Sequence, residues 1–172
     1  MESAGAFLLF RVDDRLLHGQ VALGWGRPLR ARAFLIADDD LARDAQAALL
    51  YEAAAPEGAE VRITLVAETD RAIREAQFVR ARTILIVRGL AQAAALLRAG
   101  LAGPVNLGGI HLRPGAREFL PYLFLTPEDE SLLRDLIDEG HALHAQDLPG
   151  NPRHEARDLL SRHPSSPAGP PS

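Results

Sequence analysis

Residues Arg11-Val12-Asp13-Asp14-Arg15-Leu16-Leu17-His18-Gly19-Gln20-Val21 set a single histidine among two arginines and two aspartates. An imidazole is substantially neutral near pH 7 yet nucleophilic, so it can accept a phosphoryl group. The phosphoramidate formed is energetic enough to pass that group on, and the transfer asks for positioning and charge stabilisation more than covalent machinery. Arginine adds a planar cationic fork that fits phosphate oxygens. Arg15, three residues before His18, can reach the same phosphate in a compact loop, and Arg11 is a candidate second clamp. Asp13 or Asp14, with Asp14 preferred, can accept a hydrogen bond from the imidazole and fix its tautomer. Gly19 and Gln20 are candidate phosphate-binding positions, because glycine lets a backbone N–H approach an anion. Plainer readings stand beside these. His18 would then be an ordinary residue at a helix start, the arginines surface partners of the aspartates, and Asp14 a brace for the loop.

A second glycine-rich stretch, Asn106-Leu107-Gly108-Gly109-Ile110-His111-Leu112-Arg113, offers His111 and Arg113 as residues that shape the same site or meet a partner. The alternative is a tight turn with a solvated histidine. Asp38-Asp39-Asp40 invites a magnesium site, but aspartates at a helix start more often cap it and offset its dipole. His141 and His144 fall on opposite faces of an extended segment, which argues against a shared metal. No metal and no cofactor are expected, and Trp25 reads as packing rather than a sugar platform.

Loops of this kind need strands and helices to hold them. Short apolar runs alternate with longer helical patterns. Phe7 to Val12, Ala33 to Ala37, Val61 to Val66, Thr83 to Val87 and Val105 to Leu107 read as strands. Helices are expected from His18 to about Gly26, Asp39 to Ala55, Glu68 to Phe78, Leu90 to Ala99, and Thr126 to Gly140, where Thr126 caps and Pro127 takes the first position. Phe119 to Leu125 looks extended, and Ala142 to Gln146 is a candidate edge strand. The pattern predicts a single-domain α/β fold: a mostly parallel open sheet with helices on both faces and room for an antiparallel edge strand. The His18 loop then lies where such sheets bind ligands, at the carboxyl ends of the strands. The domain is expected over residues 1–149. Residues 150–172 read as a proline- and serine-rich tail, largely disordered, with a short helix from about His154 to Leu160.

Composition narrows the function. The chain has 172 residues, enough for one unstapled core, and no cysteine, which removes disulfides, zinc thiolates and cysteine nucleophiles. Net charge is −4, so broad nucleic-acid binding is not expected. All basic residues are arginine, which excludes Schiff-base and P-loop lysine chemistry. The P-loop, dinucleotide and serine-hydrolase motifs are absent. No apolar run approaches the ~20 residues of a membrane helix, and the N-terminus is too short on apolar residues for a signal peptide.

The run from Arg11 to Val21 resembles the phosphorylation-site loop of IIB subunits of the mannose/fructose/sorbose family of the bacterial sugar phosphotransferase system. Ala37-Asp38-Asp39-Asp40 with Ala42 and Asp44, Ala53-Ala54-Ala55-Pro56, and Asn106 to Arg113 agree in order and spacing, over about residues 7 to 149. The resemblance implies a cytoplasmic phosphocarrier. It would accept phosphate on the Nδ1 nitrogen of His18 from a phosphohistidine of a IIA partner. It would then pass the group to a sugar held by membrane IIC and IID subunits, through which the chain meets the membrane. A homodimer is compatible with the chain but not demanded by it. Two alternatives stay open: a regulatory protein of the same system that signals through His18 without transport, and a non-catalytic binding module on the same fold.

Overall fold

The computed structural model describes residues 7–75 and 82–163. Its frame is a seven-stranded sheet of β1 (Leu9–Asp13), β2 (Ala33–Ala37), β3 (Glu60–Thr64), β4 (Thr83–Val87), β5 (Val105–Gly109), β8 (Leu143–Ala145) and β9 (His154–Glu155), in the order β3-β2-β4-β1-β5-β8-β9. All pairings are parallel except β8 with β9. Every residue of β1, β2, β4 and β5 is buried, as expected of parallel strands covered on both faces.

Side-chain alternation divides these strands between two cores. Phe10, Val12, Leu35, Leu85, Val87 and Leu107 face α4 (Leu90–Arg98), α5 (Pro127–Asp138) and α6 (Ala156–Arg162). Leu9, Phe34, Ile36, Ile84 and Ile86 face the other way, onto Leu16, Leu17, Val21 and Trp25. Arg11 and Asp13 share the face of Leu9, so β1 carries a buried ion pair toward that second layer.

The helix expected at His18 is a π-helical segment, Gln20–Gly26. Such widened turns recur at functional sites. The helix expected over Asp39–Ala55 is two, α1 (Asp39–Ala42) and α2 (Ala45–Ala53). Asp38 caps the first through Leu41 N, and Asp44 restarts the chain by accepting from the N–H groups of Gln46 and Ala47. Of the helix expected over Glu68–Phe78, α3 (Thr69–Glu75) is seen, and residues 76–78 lie outside the described residues. The capping reading of Thr126 holds: its side chain and that of Asp129 form a reciprocal capping box with Pro127 at the helix start. The extended run Phe119–Leu125 folds back at Pro121-Tyr122 into the hairpin β6 (Arg117–Leu120) and β7 (Leu123–Leu125).

Two expectations at the C-terminus are corrected. The segment Ala142–Gln146 is not the edge: β8 pairs parallel to β5, and β9 supplies the antiparallel edge beyond it. Packed structure also continues past residue 149, because α6 buries Ala156, Leu159 and Leu160 in the first core. The short helix expected from about His154 to Leu160 is present as α6, and its apolar spacing of Ala156, Leu159 and Leu160 is what packs it. Residues 164–172 of the expected disordered tail lie outside the described residues.

Candidate functional site

The central strand β1 ends inside the sheet, and its register against β5 slips between Val12 and Asp13, which faces Gly109. Bulges of this kind re-aim side chains beside sites. From there the chain turns tightly: Leu16 N donates to Asp13 O at 2.9 Å, and Leu16 takes a φ of 56° while fully buried. A leucine in the left-handed region is a strained residue that the surroundings must hold. The turn delivers His18 to the carboxyl rim of the sheet, its side chain 19% exposed.

Behind His18 stands a buried relay. His18 Nε2 lies 3.1 Å from Asp13 Oδ2. The same oxygen accepts from Arg11 Nε at 3.1 Å and Nη2 at 2.9 Å. Arg11 Nη1 donates to Asn106 Oδ1 at 2.6 Å and to the Gln146 carbonyl at 3.2 Å. Arg11 and Asp13 are both without solvent exposure. Burial pushes the Asp13 carboxyl up, but the His18 hydrogen bond and the Arg11 charge outweigh it and hold it below the usual carboxylate range. Burial likewise draws Arg11 below its ordinary value, against the pull of Asp13.

An ionised carboxylate only accepts hydrogen bonds. The proton on the His18–Asp13 contact therefore sits on Nε2, and in the neutral ring the free lone pair falls on Nδ1. Nδ1 has no protein partner among the described residues. The free nitrogen is thus the one that the family resemblance implies as the phosphate acceptor.

Several expected roles move. The carboxylate on the imidazole is Asp13, not Asp14. Asp14 faces the other glycine loop: its Oδ2 accepts from His111 N at 2.7 Å, and its Oδ1 lies 2.6 Å from His111 Nδ1. Arg11 is no second clamp at the surface, because it is buried and its donors are spent on Asp13, Asn106 and Gln146. Arg113 pairs with Asp129 at the start of α5. Arg15 stays exposed, with its backbone N–H on Asp13 Oδ1 at 3.2 Å and its guanidinium on Gln20 Oε1 at 3.1 Å. Gly19 is exposed with a right-handed helical φ of −51°, and a Cβ there would meet nothing within 4 Å among the described residues, so neither a tight turn nor a close contact calls for glycine at this position.

Sequence reasoning missed what Gly108 does. A Cβ built there would stand 1.8 Å from Arg11 Cζ, so only glycine lets β5 pass the buried guanidinium. It also missed Arg88, at the end of β4, which holds Asp38 with Nε and Nη2 and the Asp14 carbonyl with Nη1. Trp25, as expected, packs: its Nε1 donates to Asp147 O at 2.7 Å, and its ring lies 5.7 Å from Arg11 Cζ. The aspartate run caps and braces, with Asp39 accepting from Val66 N. Among the described residues no group of three or more His, Cys, Asp or Glu could hold a metal ion, and no helix is long and apolar enough to cross a membrane.

Comparison with known proteins agrees on one family. Residues 7–167 match the family described as PTS system sorbose subfamily IIB component. The chain is 27% identical over 145 residues to the sorbose-specific EIIB component of Klebsiella pneumoniae, covering 84% of this chain and 88% of that protein. It is 26% identical over 155 residues to the mannose-specific EIIAB component of Escherichia coli K12, covering 90% of this chain but 48% of that longer protein. The crystal structure of the IIBSor domain of the Klebsiella pneumoniae sorbose permease superposes with a TM-score of 0.83 at 26% identity, over 92% of this chain and 98% of that one.

Proposed function

Because this chain belongs to the sorbose-subfamily IIB components of the phosphotransferase system, we propose that it is a phosphocarrier working through His18. A IIA partner brings a phosphohistidine. Its N–P bond breaks as the Nδ1 lone pair of His18 forms a new one, and the donor imidazole leaves with its lone pair restored. In the second half-reaction a sugar hydroxyl attacks the same phosphorus, His18 recovers its lone pair, and the hydroxyl proton passes to solvent or to a base on the acceptor. No further cofactor enters the balance. The sugar is held by IIC and IID membrane subunits, so the carrier works in the cytoplasm and meets the membrane through them.

The observation that carries this reading is the Asp13–His18 contact, which leaves Nδ1 as the nucleophile. Cationic charge builds on Nε2–H as phosphate is gained, and Asp13 stabilises it from beneath. The exposed Arg15 guanidinium is the group free to neutralise the in-flight oxygens, and the open approach at Gly19 leaves room for them. Support for a IIA donor comes from the mannose-specific relative, whose name joins A and B functions in one chain.

The test is phosphotransfer from phosphoenolpyruvate through purified upstream carriers and a IIA protein. The expected product is an acid-labile, base-stable phosphate that is absent from His18→Ala. Label retained in that variant overturns the site.

A further inference from the structure

Asp14 is gripped at every polar group it has, and none of the grips comes from its own loop. Its N–H donates to Gly109 O at 2.9 Å, from β5. Its carboxylate receives the backbone N–H of His111 and faces that residue's Nδ1. Its carbonyl receives Arg88 Nη1 at 3.2 Å, from the end of β4. Two residues further on stands Leu16 with its φ of 56°, a conformation that persists only where the surroundings over-determine it. Asp14 is therefore the point at which the strained turn is fastened to the sheet.

Of these grips, Arg88 is the one built most deliberately. Its Nε and Nη2 reach the two oxygens of Asp38 at 2.7 and 3.1 Å. Asp38 in turn is buried and fixed by capping α1 through Leu41 N at 2.8 Å. A two-pronged arginine–carboxylate pair sets the plane of the guanidinium as well as its position. The third nitrogen is thereby aimed, and what it meets is the Asp14 carbonyl. The arrangement joins the carboxyl ends of β2 and β4 to the loop that leaves β1, and β4 is the direct neighbour of both β1 and β2 in the sheet.

We propose that Arg88 is a positioning residue for His18, holding the β1 turn at the height that puts the imidazole on Asp13 and its Nδ1 toward the partner. It does not touch the reacting atoms. This role rests on the phosphocarrier reading for its effect on transfer, but not for its effect on the loop.

Arg88→Lys is the discriminating variant. A lysine keeps a cation beside Asp38, so the buried carboxylate is not stranded, but one ammonium cannot make the two-pronged pair and reach the Asp14 carbonyl as well. Two readouts are needed. The first is amide hydrogen exchange of Arg15 and Leu16, expected to speed up at least about fivefold in Arg88→Lys while the amides of β4 stay as they were. The second is single-turnover phosphotransfer from phosphorylated IIA. There the maximal rate is expected to fall about tenfold, with the donor concentration for half-maximal rate unchanged. Unaltered exchange at Arg15 and Leu16 overturns the proposal, whether or not phosphate is transferred. A rise in half-saturating donor concentration with the maximal rate intact also overturns it, since Arg88 would then be a docking residue. A wild-type protein that takes no phosphate defeats the phosphocarrier reading alone, and the exchange data still decide the role of Arg88 in the loop. Should Arg88→Lys fail to fold, Asp38→Asn with Arg88 retained frees the guanidinium from its plane, and the same two readouts apply.

Discussion

His18 Nε2 and Asp13 Oδ2 stand 3.1 Å apart, and that carboxylate oxygen also takes two donors from the fully buried Arg11. One oxygen thus couples a partly exposed ring to an ion pair in the interior. Arg11 keeps Asp13 ionised, Asp13 fixes the proton on Nε2, and the lone pair is left on Nδ1. Asn106 and the Gln146 carbonyl hold Arg11 from the far side, so strands β1 and β5 and the chain after β8 all bear on one nitrogen.

Asp13→Asn should separate these effects. The amide no longer dictates the tautomer and no longer stabilises a cationic ring, so transfer to His18 should fall roughly 10- to 100-fold. The variant also leaves a buried guanidinium without its counter-charge, which costs ~3–5 kcal/mol when a buried pair is broken on one side. Rapid-quench phosphotransfer and urea unfolding measure the two. A transfer rate equal to wild type would remove Asp13 from the chemistry.

Gly108 predicts a coupled pair of substitutions. In wild type, Gly108→Ala drives a methyl into the Arg11 guanidinium and should cost ~1–3 kcal/mol or more through overpacking. With Arg11→Met already present the obstacle is gone, and the same alanine should cost far less. Urea denaturation of the four proteins gives the coupling energy. Costs that simply add would mean that the glycine is needed for another reason.

How much of this was legible in the residues differs from element to element. The runs Phe7-Leu8-Leu9-Phe10 and Thr83 to Val87 announce buried parallel strands, and the β/α alternation gives the open sheet, because apolar continuity and periodicity are local signals. The His18 loop was legible by residue type. Which aspartate meets the ring was not, since Asp13 and Asp14 are adjacent and the sequence does not mark that β1 ends at Asp13, on the face of Leu9 and Arg11. Arg11 read as a surface clamp because a buried arginine shows itself only through partners far along the chain, Asn106 and Gln146. Arg88 gave no local sign at all: its importance lies in meeting Asp38 and Asp14, which are distant in sequence.

Arg15→Ala isolates the exposed cation. Its guanidinium touches only Gln20 among the described residues, and exposed pairs of this kind contribute ~0–1 kcal/mol. Stability should therefore barely change, while transfer slows by about 10²-fold through loss of charge stabilisation on the oxygens. Thermal unfolding and single-turnover kinetics test both halves. An unchanged rate would leave the phosphate without its proposed surface partner.

His144 sets the acid response of the fold. It is buried on β8, its Nδ1 has no partner among the described residues, and it lies beside Arg153 and Glu155. Burial and then the Arg153 charge, against the weaker pull of Glu155, bring its pKa down from 6.5 to about 4. The unfolded chain therefore binds a proton near pH 6.5 that the folded protein refuses until about pH 4. Stability should be full above pH 6.5 and decline on acidification through that window, by about 2 kcal/mol at pH 5. Below about pH 4 both states carry the proton and this group adds no further loss. Asp13 and Asp38 do not confound the window, because their depressed carboxyls give up stability only as pH falls below the ordinary aspartate value of 3.8. His144→Leu keeps an apolar side chain in the same place and removes an unsatisfied buried nitrogen, so at pH 7 it should be neutral or slightly stabilising. Urea unfolding at pH 7 and pH 5 should show the wild-type difference shrinking by about 2 kcal/mol in the variant. An equal pH dependence in both proteins would mean that another group governs the acid limb.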